Sequence, residues 1–311
     1  MIKPIVQFIE VDAEHVDQRV DNFLLTRLKG VPKSLLYRLL RKGEIRVNKK
    51  RTKAYYKLQE KDVIRVAPIR AAEKTQVAKP SEAQLEKLSK QIVYEDANLL
   101  VLNKSTGLAV HGGSGVSLGV IELLRAMRPE ARFLELAHRL DRDTSGCLII
   151  AKKRKALKEI HELLREGKIR KVYYALTLGR WYKVKNLVNL PLKKDVLKSG
   201  ERVVKAVKDG KKALTEFNVL RNFSLASFVE VILHTGRTHQ IRVHAQATGH
   251  FIAGDEKYGD RAFNKMMRQK GLRRLFLHAG ELQFTLPSSG ELISVVIPIS
   301  DELQKVLKAL E

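Results

Sequence analysis

A chain of 311 residues, 44% hydrophobic and 30% charged, can bury a substantial core over about two domains, which excludes a disordered protein. Its charge is lopsided: 59 Lys and Arg against 34 Asp and Glu leave +25, so the expected partner is a polyanion. A single cysteine, Cys147, excludes an internal disulfide or an all-cysteine metal site; no apolar run approaches the roughly 18 residues of a membrane span, and no signal-peptide order opens the chain. A cytoplasmic, nucleic-acid-binding protein with no membrane partner is expected.

Residues 1–16 read as an N-terminal extension. From Asp17 to Lys29, Val20, Phe23, Leu24 and Leu28 fall on one helical face, with Gly30 where the helix should end. A second predicted helix, Lys33–Lys42, puts Leu35, Leu36, Leu39 and Leu40 on one side and Lys33, Arg38, Arg41 and Lys42 on the other, and Gly43 stops it. Two strand-like pieces follow, Ile45–Asn48 and Val63–Val66, separated by Lys49, Lys50, Arg51, Lys53 and Lys57. Between Arg19 and Arg70 there are 16 Lys and Arg against 4 Asp and Glu, a net of +12. Such a run is usually a solvated face, but here the cations follow a helix–helix–strand order rather than a tail. The string Arg-Val-Asp…Lys-Ser…Gly-Glu-Ile-Arg-Val-Asn…Lys-Asp-Val-Ile, over about residues 17–70, resembles the S-four-like RNA-binding domain, which is placed at 17–75. That resemblance implies phosphate contacts from Lys33, Arg38, Arg41, Lys42, Lys49, Lys50 and Arg51, which give affinity and register rather than sequence choice.

Residues 76–90 close an Ala-, Lys-, Glu- and Gln-rich stretch with Pro80 and read as a linker, with one or two helical turns near 81–90. Gln91–Tyr94 and Leu99–Leu102 are predicted strands with a turn at Glu95–Asn98. Lys104–Gly115 is a glycine-rich loop without the Gly-Lys-Ser/Thr ending of a phosphate-binding loop, and a helix over Leu118–Arg128 stops at Pro129. Next comes His138-Arg-Leu-Asp-Arg-Asp-Thr-Ser-Gly146, and then the apolar strand Cys147–Ala151. Two carboxylates, two arginines, a histidine and two hydroxyls in nine residues make a loop at a sheet edge, where chemistry is often placed. Arg139 and Arg142 flank Asp141 and favour its charged form. Taken alone, an Asp-x-Asp-Thr-Ser-Gly loop is more simply a turn whose carboxylates cap backbone. Cys147 reads as an inert core thiol.

Lys155–Glu166 is an amphipathic helix closed by Gly167, and Ile169–Leu178 is a strand carrying Lys171, Tyr173 and Ala175. Strands at 213–221 and 225–234 form a hairpin. It runs into His234-Thr-Gly-Arg-Thr-His-Gln-Ile-Arg-Val-His244, where Gly236 turns the chain and Thr238 is the expected N-cap of a helix, His239–Thr248, ended by Gly249. His239, His244 and His250 match no metal-ligand spacing, so no metal is expected. Strands near 275–286 and 291–298 and a helix over Glu302–Leu310 close the chain.

The string His138–Gly146 with its following strand resembles the signature of the uridine-to-pseudouridine isomerases of the ribosomal large-subunit type. Further strings resemble the same family. They are Asn103-Lys-Ser-x-Gly-x-x-x-His111, with Ser105 where the family usually has Pro; Lys171-x-Tyr173-x-Ala175; Gly236–His244; Gly254-Asp-x-x-Tyr-Gly259; and Leu277-His-Ala279. The resemblance implies an α+β protein: the small S-four-like domain plus a catalytic domain, 91–311, with a mixed, largely antiparallel β-sheet flanked by helices and loops, the pseudouridine synthase fold. It implies Asp141 as the catalytic carboxylate, Arg242 as its partner and Tyr173 against the target base, with Arg139, Arg237 and His239 among the RNA contacts.

The substrate so implied is 23S rRNA, modified at several positions by a monomer. Isomerising uridine breaks C1′–N1, turns the uracil over and makes C1′–C5, without redox change, group donor or metal, so no cofactor is expected. One carboxylate is the minimum: it can add to sugar or base, take a sugar proton or stabilise positive charge at C1′. The base must leave its helix to be reached, and Arg139 is placed to fill the gap. A non-catalytic rRNA-binding assembly factor would share the charge and the N-terminal module, but it gives no reason for Asp141, Tyr173 and Arg242 together. A metal-dependent nuclease using Asp141 and Asp143 would shorten RNA instead.

Overall fold

Residues 5–28, 30–69, 80–112, 118–196 and 202–311 are described in a computed structural model, and they divide into two units, within 1–78 and within 79–311. In the first, β1 (Gln7–Glu10), α1 (Val20–Arg27), α2 (Lys33–Lys42), β2 (Ile45–Val47), β3 (Lys50–Arg51) and β4 (Val63–Val66) follow in order. The strands form an antiparallel sheet, β1-β4-β2-β3. The apolar stripes read from the sequence make its core: Val20, Phe23 and Leu24 of α1 and Leu36, Leu39 and Leu40 of α2 pack with Ile45, Val47, Ile64 and Val66. The seven cations expected to meet phosphate are all exposed. Residues 1–16 are more than an extension, because Gln7–Glu10 is an edge strand paired with β4. Only Ile9 of the four is even half-buried, so the alternation that marks a strand in sequence is missing.

The second unit opens with α3 (Glu82–Ser89), inside the stretch read as a linker; residues 71–79 of that stretch and 113–117 of the glycine-rich loop lie outside the described residues. Ser81 and Gln84 form a capping box at the start of α3, and Leu88 is buried in the core of this unit, which makes 82–89 part of it. There follow β5 (Ile92–Glu95), β6 (Leu99–Lys104), α4 (Val120–Met127), β7 (Glu135–Leu136), β8 (Ser145–Ala151), α5 (Arg154–Glu166), β9 (Arg170–Leu178), β10 (Lys185–Asn189), β11 (Leu192–Val196) and β12 (Arg202–Ala206). The chain ends with β13 (Leu214–Asn222), β14 (Ala226–Leu233), α6 (Gln240–Ala247), α7 (Arg261–Gln269), β15 (Leu277–Leu286), β16 (Glu291–Val296) and α8 (Asp301–Lys308). Strands β11 and β12 make a separate antiparallel pair.

The large sheet runs β10-β13-β14-β9-β15-β8-β6-β5, with β16 added to β15 and β7 to β8. Among the described strands β8 and β15 pair in parallel and the other pairs are antiparallel. All seven residues of β8 are buried, as expected of a central strand covered on both faces. Because β8 and β15 start at the same edge, the loop entering β8 is delivered beside the start of β15. Gly146, Ala279 and Tyr173 lie in register across β8, β15 and β9. Gly146 is obligatory there: its φ is +104° and a Cβ would stand 2.1 Å from the carbonyl oxygen of Ala279.

Candidate active site

The loop between β7 and β8 carries the central string, and a second loop clasps it. Lys104, at the end of β6, is fully buried and donates from Nζ to the carbonyls of Ser105 (3.0 Å), Leu108 (2.9 Å) and Arg142 (2.9 Å). Three acceptors require three N–H donors, so the geometry suits the ammonium, while burial pushes its pKa down to about 7 against the charges of Asp143 and Asp141. Thr106 donates its hydroxyl to the carbonyl of Asp143 (2.8 Å), and Arg142 donates from Nε to the carbonyl of Gly107 (3.1 Å). At the other end His138 accepts the Ile149 amide on Nε2 (3.0 Å). Burial, with the charge of Lys171 second, lowers its pKa to about 4, so the imidazole is a neutral peg rather than an acid or base.

Asp141 emerges from this clasp with a side chain 16% exposed, against 8% for Arg242 and 1% for Asp255; of the three carboxylate and guanidinium groups it is the one most open to a ligand. Arg242 lies on α6, whose residues 240–245 are all buried, and donates from Nη1 to Asp141 Oδ2 (3.1 Å). Its other two nitrogens belong to Asp255: Nε to Oδ2 (2.7 Å) and Nη2 to Oδ1 (2.8 Å). This is the bidentate, charge-assisted arrangement that fixes the plane of a guanidinium. Burial pulls the Arg242 pKa down, and the hydrogen bonds and charge of Asp255, with Asp141 behind them, more than reverse it. Asp255 is fixed in turn: its Oδ1 accepts the amides of Lys257 (3.0 Å) and Tyr258 (2.9 Å), and Asn264 donates to its carbonyl (2.9 Å). The Tyr258 ring lies under the guanidinium of Arg242, 5.0 Å from ring centre to carbon.

His239 takes a place that the sequence did not suggest. It has φ +53° and occupies the N-cap position of α6, so Thr238 is not the cap, and no side chain caps this helix. Its Nδ1 is 2.7 Å from the Tyr258 hydroxyl and its Nε2 is 3.7 Å from Asp141 Oδ1. The Tyr258 oxygen accepts the Val204 amide (3.0 Å), so its hydroxyl proton is free for Nδ1. With that proton donated to Nδ1, the neutral imidazole carries its N–H on Nε2, toward Asp141. Burial lowers the His239 pKa and the charge of Asp141 opposes the shift.

A cleft of about 500 Å³ is lined by Arg139, Asp141, Lys171, Tyr173, Arg237, His239 and Arg242, among others. Tyr173, 7% exposed, has its phenol pushed well above the usual range by burial and then by the charge of Asp141, which places the two groups within electrostatic reach. A second cavity, about 770 Å³, shares Arg139, Asp141, His239 and Arg242 and adds Arg142, Asp143, Arg268, Arg273 and Arg274. Arg139 is exposed and faces both. So the structure brings together Asp141, Tyr173, Arg242, Arg139, Arg237 and His239; the seven cations of the first unit are described with that unit alone. Cys147 is buried, and burial pushes its thiol up to about 12, in keeping with an inert thiol. Among the described residues no group of three or more His, Cys, Asp or Glu could hold a metal ion, and no helix is long and apolar enough to cross a membrane.

Sequence reasoning assigned no role to Lys104 or Asp255, although both lie inside strings it singled out. A lysine after a strand reads as a solvated charge, and the bond from Asp255 to Arg242 spans 13 residues that no periodicity links.

Comparison with known proteins agrees with this geometry. The model of a family described as RNA pseudouridylate synthase matches residues 98–247, and that of the S4 domain matches 18–64. Ribosomal large subunit pseudouridine synthase C of Pasteurella multocida (strain Pm70) is 52% identical over 313 residues, covering 100% of this chain and 95% of that protein. The protein of the same name from Escherichia coli (strain K12) is 52% identical over 310 residues, covering 99% and 97%. Among solved structures, human RNA pseudouridylate synthase domain containing 4 superposes with a TM-score of 0.61 at 27% identity, over 73% of this chain and 95% of that one. With full-length relatives at this identity, and with the sheet and the Asp141–Arg242–Tyr173 cleft in place, the chain belongs to the RNA pseudouridylate synthase family.

Proposed function

We propose that the chain isomerises uridine to pseudouridine at several positions of 23S rRNA, as a cytoplasmic monomer without cofactor, and that Asp141 is the acting carboxylate. The observation that carries this reading is the position of Asp141: the single carboxylate lining the 500 Å³ cleft among the described residues, aimed by a buried arginine and within electrostatic reach of Tyr173. The names of the full-length relatives support the substrate. A non-catalytic assembly factor would have no use for an arginine held in its plane by a second, buried carboxylate.

In the reaction C1′–N1 breaks and C1′–C5 forms, C5 loses its hydrogen and N1 gains one, so nothing is added to or removed from the RNA overall. Asp141 acts at the sugar or base while Arg242 fixes its orientation, so little of the binding energy goes into ordering the nucleophile. Tyr173 packs against the freed uracil and keeps it in the cleft while it turns. Cationic contacts to phosphate offset the few kcal/mol of unstacking the base.

Asp141→Asn should abolish pseudouridine formation on a 23S rRNA transcript while leaving RNA affinity within a few-fold, since it removes a carboxylate and no cation. Appreciable turnover by that variant removes Asp141 from the mechanism. Activity should persist in EDTA as long as the RNA stays folded; loss restored by zinc and not by other divalent ions would point to the histidines instead.

A further inference from the structure

Lys171 differs from the other cations of the cleft: Arg139 also lacks a side-chain partner among the described residues but is exposed, and the rest are partnered. It lies on β9 two residues before Tyr173, so both side chains leave the same face of the strand, about 7 Å apart along it. Arg165 is 3.8 Å from Glu162, Arg237 donates to the carbonyl of Lys212, and Arg242 is shared between two carboxylates. Lys171 is half-buried, and among the described residues no hydrogen-bond or ion-pair partner reaches it. Its ammonium is not sealed off, because it lines the cleft. His278 pairs with both Ser145, where the Asp141 loop enters β8, and Tyr174, whereas Lys171 pairs with Leu282, farther along β15; Lys171 therefore lies farther from that loop along the sheet than Tyr173 does.

An unpaired cation withdrawn from water costs free energy unless a ligand supplies the counter-charge. The surroundings favour an anion over a neutral carbonyl: Arg165 and Arg237 line the same cavity, and Asp141 is its only carboxylate among the described residues. Gly236 borders the ammonium: a Cβ there would stand 3.9 Å from Nζ, in ordinary van der Waals contact. In RNA the anion is the backbone phosphate, and the spacing along β9 is on the scale of a single nucleotide.

We propose that Lys171 binds a backbone phosphate flanking the target uridine and so sets the nucleotide in register between Tyr173 and Asp141. The inference rests on the reading of this cleft as the nucleotide site.

The test uses a short synthetic 23S rRNA fragment containing a uridine that the full-length wild-type enzyme converts, made also with one neutral methylphosphonate on the 5′ or on the 3′ side of that uridine. Lys171→Met should bind the unmodified fragment about tenfold more weakly, as loss of a charge-assisted bond implies. Its slope of log affinity against log salt should be shallower by about 1. One of the two methylphosphonates should weaken wild-type binding by a similar factor and leave Lys171→Met unaffected, and Lys171→Arg should restore part of the affinity. Coupling to a particular phosphate is a readout that a merely structural lysine would not give; if the Met variant melts early, Lys171→Gln replaces it. Affinity of the variant within twofold of wild type, or losses that simply multiply with both methylphosphonates, would overturn the proposal. If the wild-type enzyme makes no pseudouridine in any such fragment or in the full transcript, the reading of the cleft fails first.

Discussion

Arg242 gives two of its guanidinium nitrogens to Asp255 and the third to Asp141. The carboxylate proposed to act on the RNA is therefore aimed by one that does not line the 500 Å³ cleft. Asp255→Asn keeps the shape of the side chain but removes its charge, which loosens the plane of Arg242 and the aim of Asp141. The single-turnover rate on 23S rRNA should fall about 10- to 100-fold, the scale on which a small misplacement of a reacting group is felt. RNA affinity should change little. Asp255→Ala should in addition cost about 3–5 kcal/mol of stability, because it leaves a buried guanidinium short of a partner. Chemical denaturation and single-turnover kinetics on the same samples separate the two effects.

Lys104 couples stability to pH. Its folded pKa, about 7, lies below the ordinary 10.5, so between these values the unfolded chain binds more protons than the folded one. Stability therefore rises with pH across that window; the penalty for a buried charge is fully present below about 7 and gone above about 10.5. Lys104→Met removes the titration along with three hydrogen bonds to carbonyls. The stability advantage of wild type over this variant should widen from pH 6.5 toward pH 9.5 in urea denaturation, a range chosen to bracket roughly the onset of the shift. A gap independent of pH would show that the three carbonyls hold the proton as firmly as water does.

What could be read in the sequence, and what could not, follows from how far each interaction reaches along the chain. Helices α1 and α2 were legible because Val20, Phe23, Leu24, Leu36, Leu39 and Leu40 repeat at helical spacing and do become the core. The hairpin of β13 and β14 and the strand after Gly146 were legible for the same local reason. Strands β10 to β12 were not: Lys193, Lys194 and Asp195 are exposed in succession, so the alternation is lost. Helix α7 shows only Ala262, Phe263, Met266 and Met267 as apolar residues, too few to stand out. At the site, the gathering of Asp141, Arg242 and Tyr173 in one cleft was legible through whole strings. The roles of Asp255, Lys104 and Tyr258 were not, because each is fixed by a partner brought close only by folding.

The N-terminal unit has its own core and sheet, so the second unit should fold without it. Deleting residues 1–78 should leave a chain that melts cooperatively and keeps the Asp141–Arg242 pair. It removes the 16 Lys and Arg between Arg19 and Arg70. The slope of log affinity for 23S rRNA against log salt should then become shallower. An unchanged slope would mean that this unit does not touch the substrate.

Arg139 separates two readings most sharply. It is exposed and lines both cavities, and its guanidinium has no hydrogen-bond or ion-pair partner among the described residues, although it stands two residues from Asp141. As an ordinary surface arginine it would be worth about 0–1 kcal/mol. As a plug, its planar guanidinium would stack where the target uridine had been, a use open to Arg and not to Lys. A plug matters only when there is a stack to hold open. Arg139→Ala, and Arg139→Lys nearly as much, should therefore slow isomerisation strongly when the uridine is constrained in a helix or in folded rRNA, and much less when it sits in an unstructured strand. Equal loss on both substrates would assign Arg139 to the chemistry or to the fold of the loop between β7 and β8. No loss on either would return it to the surface.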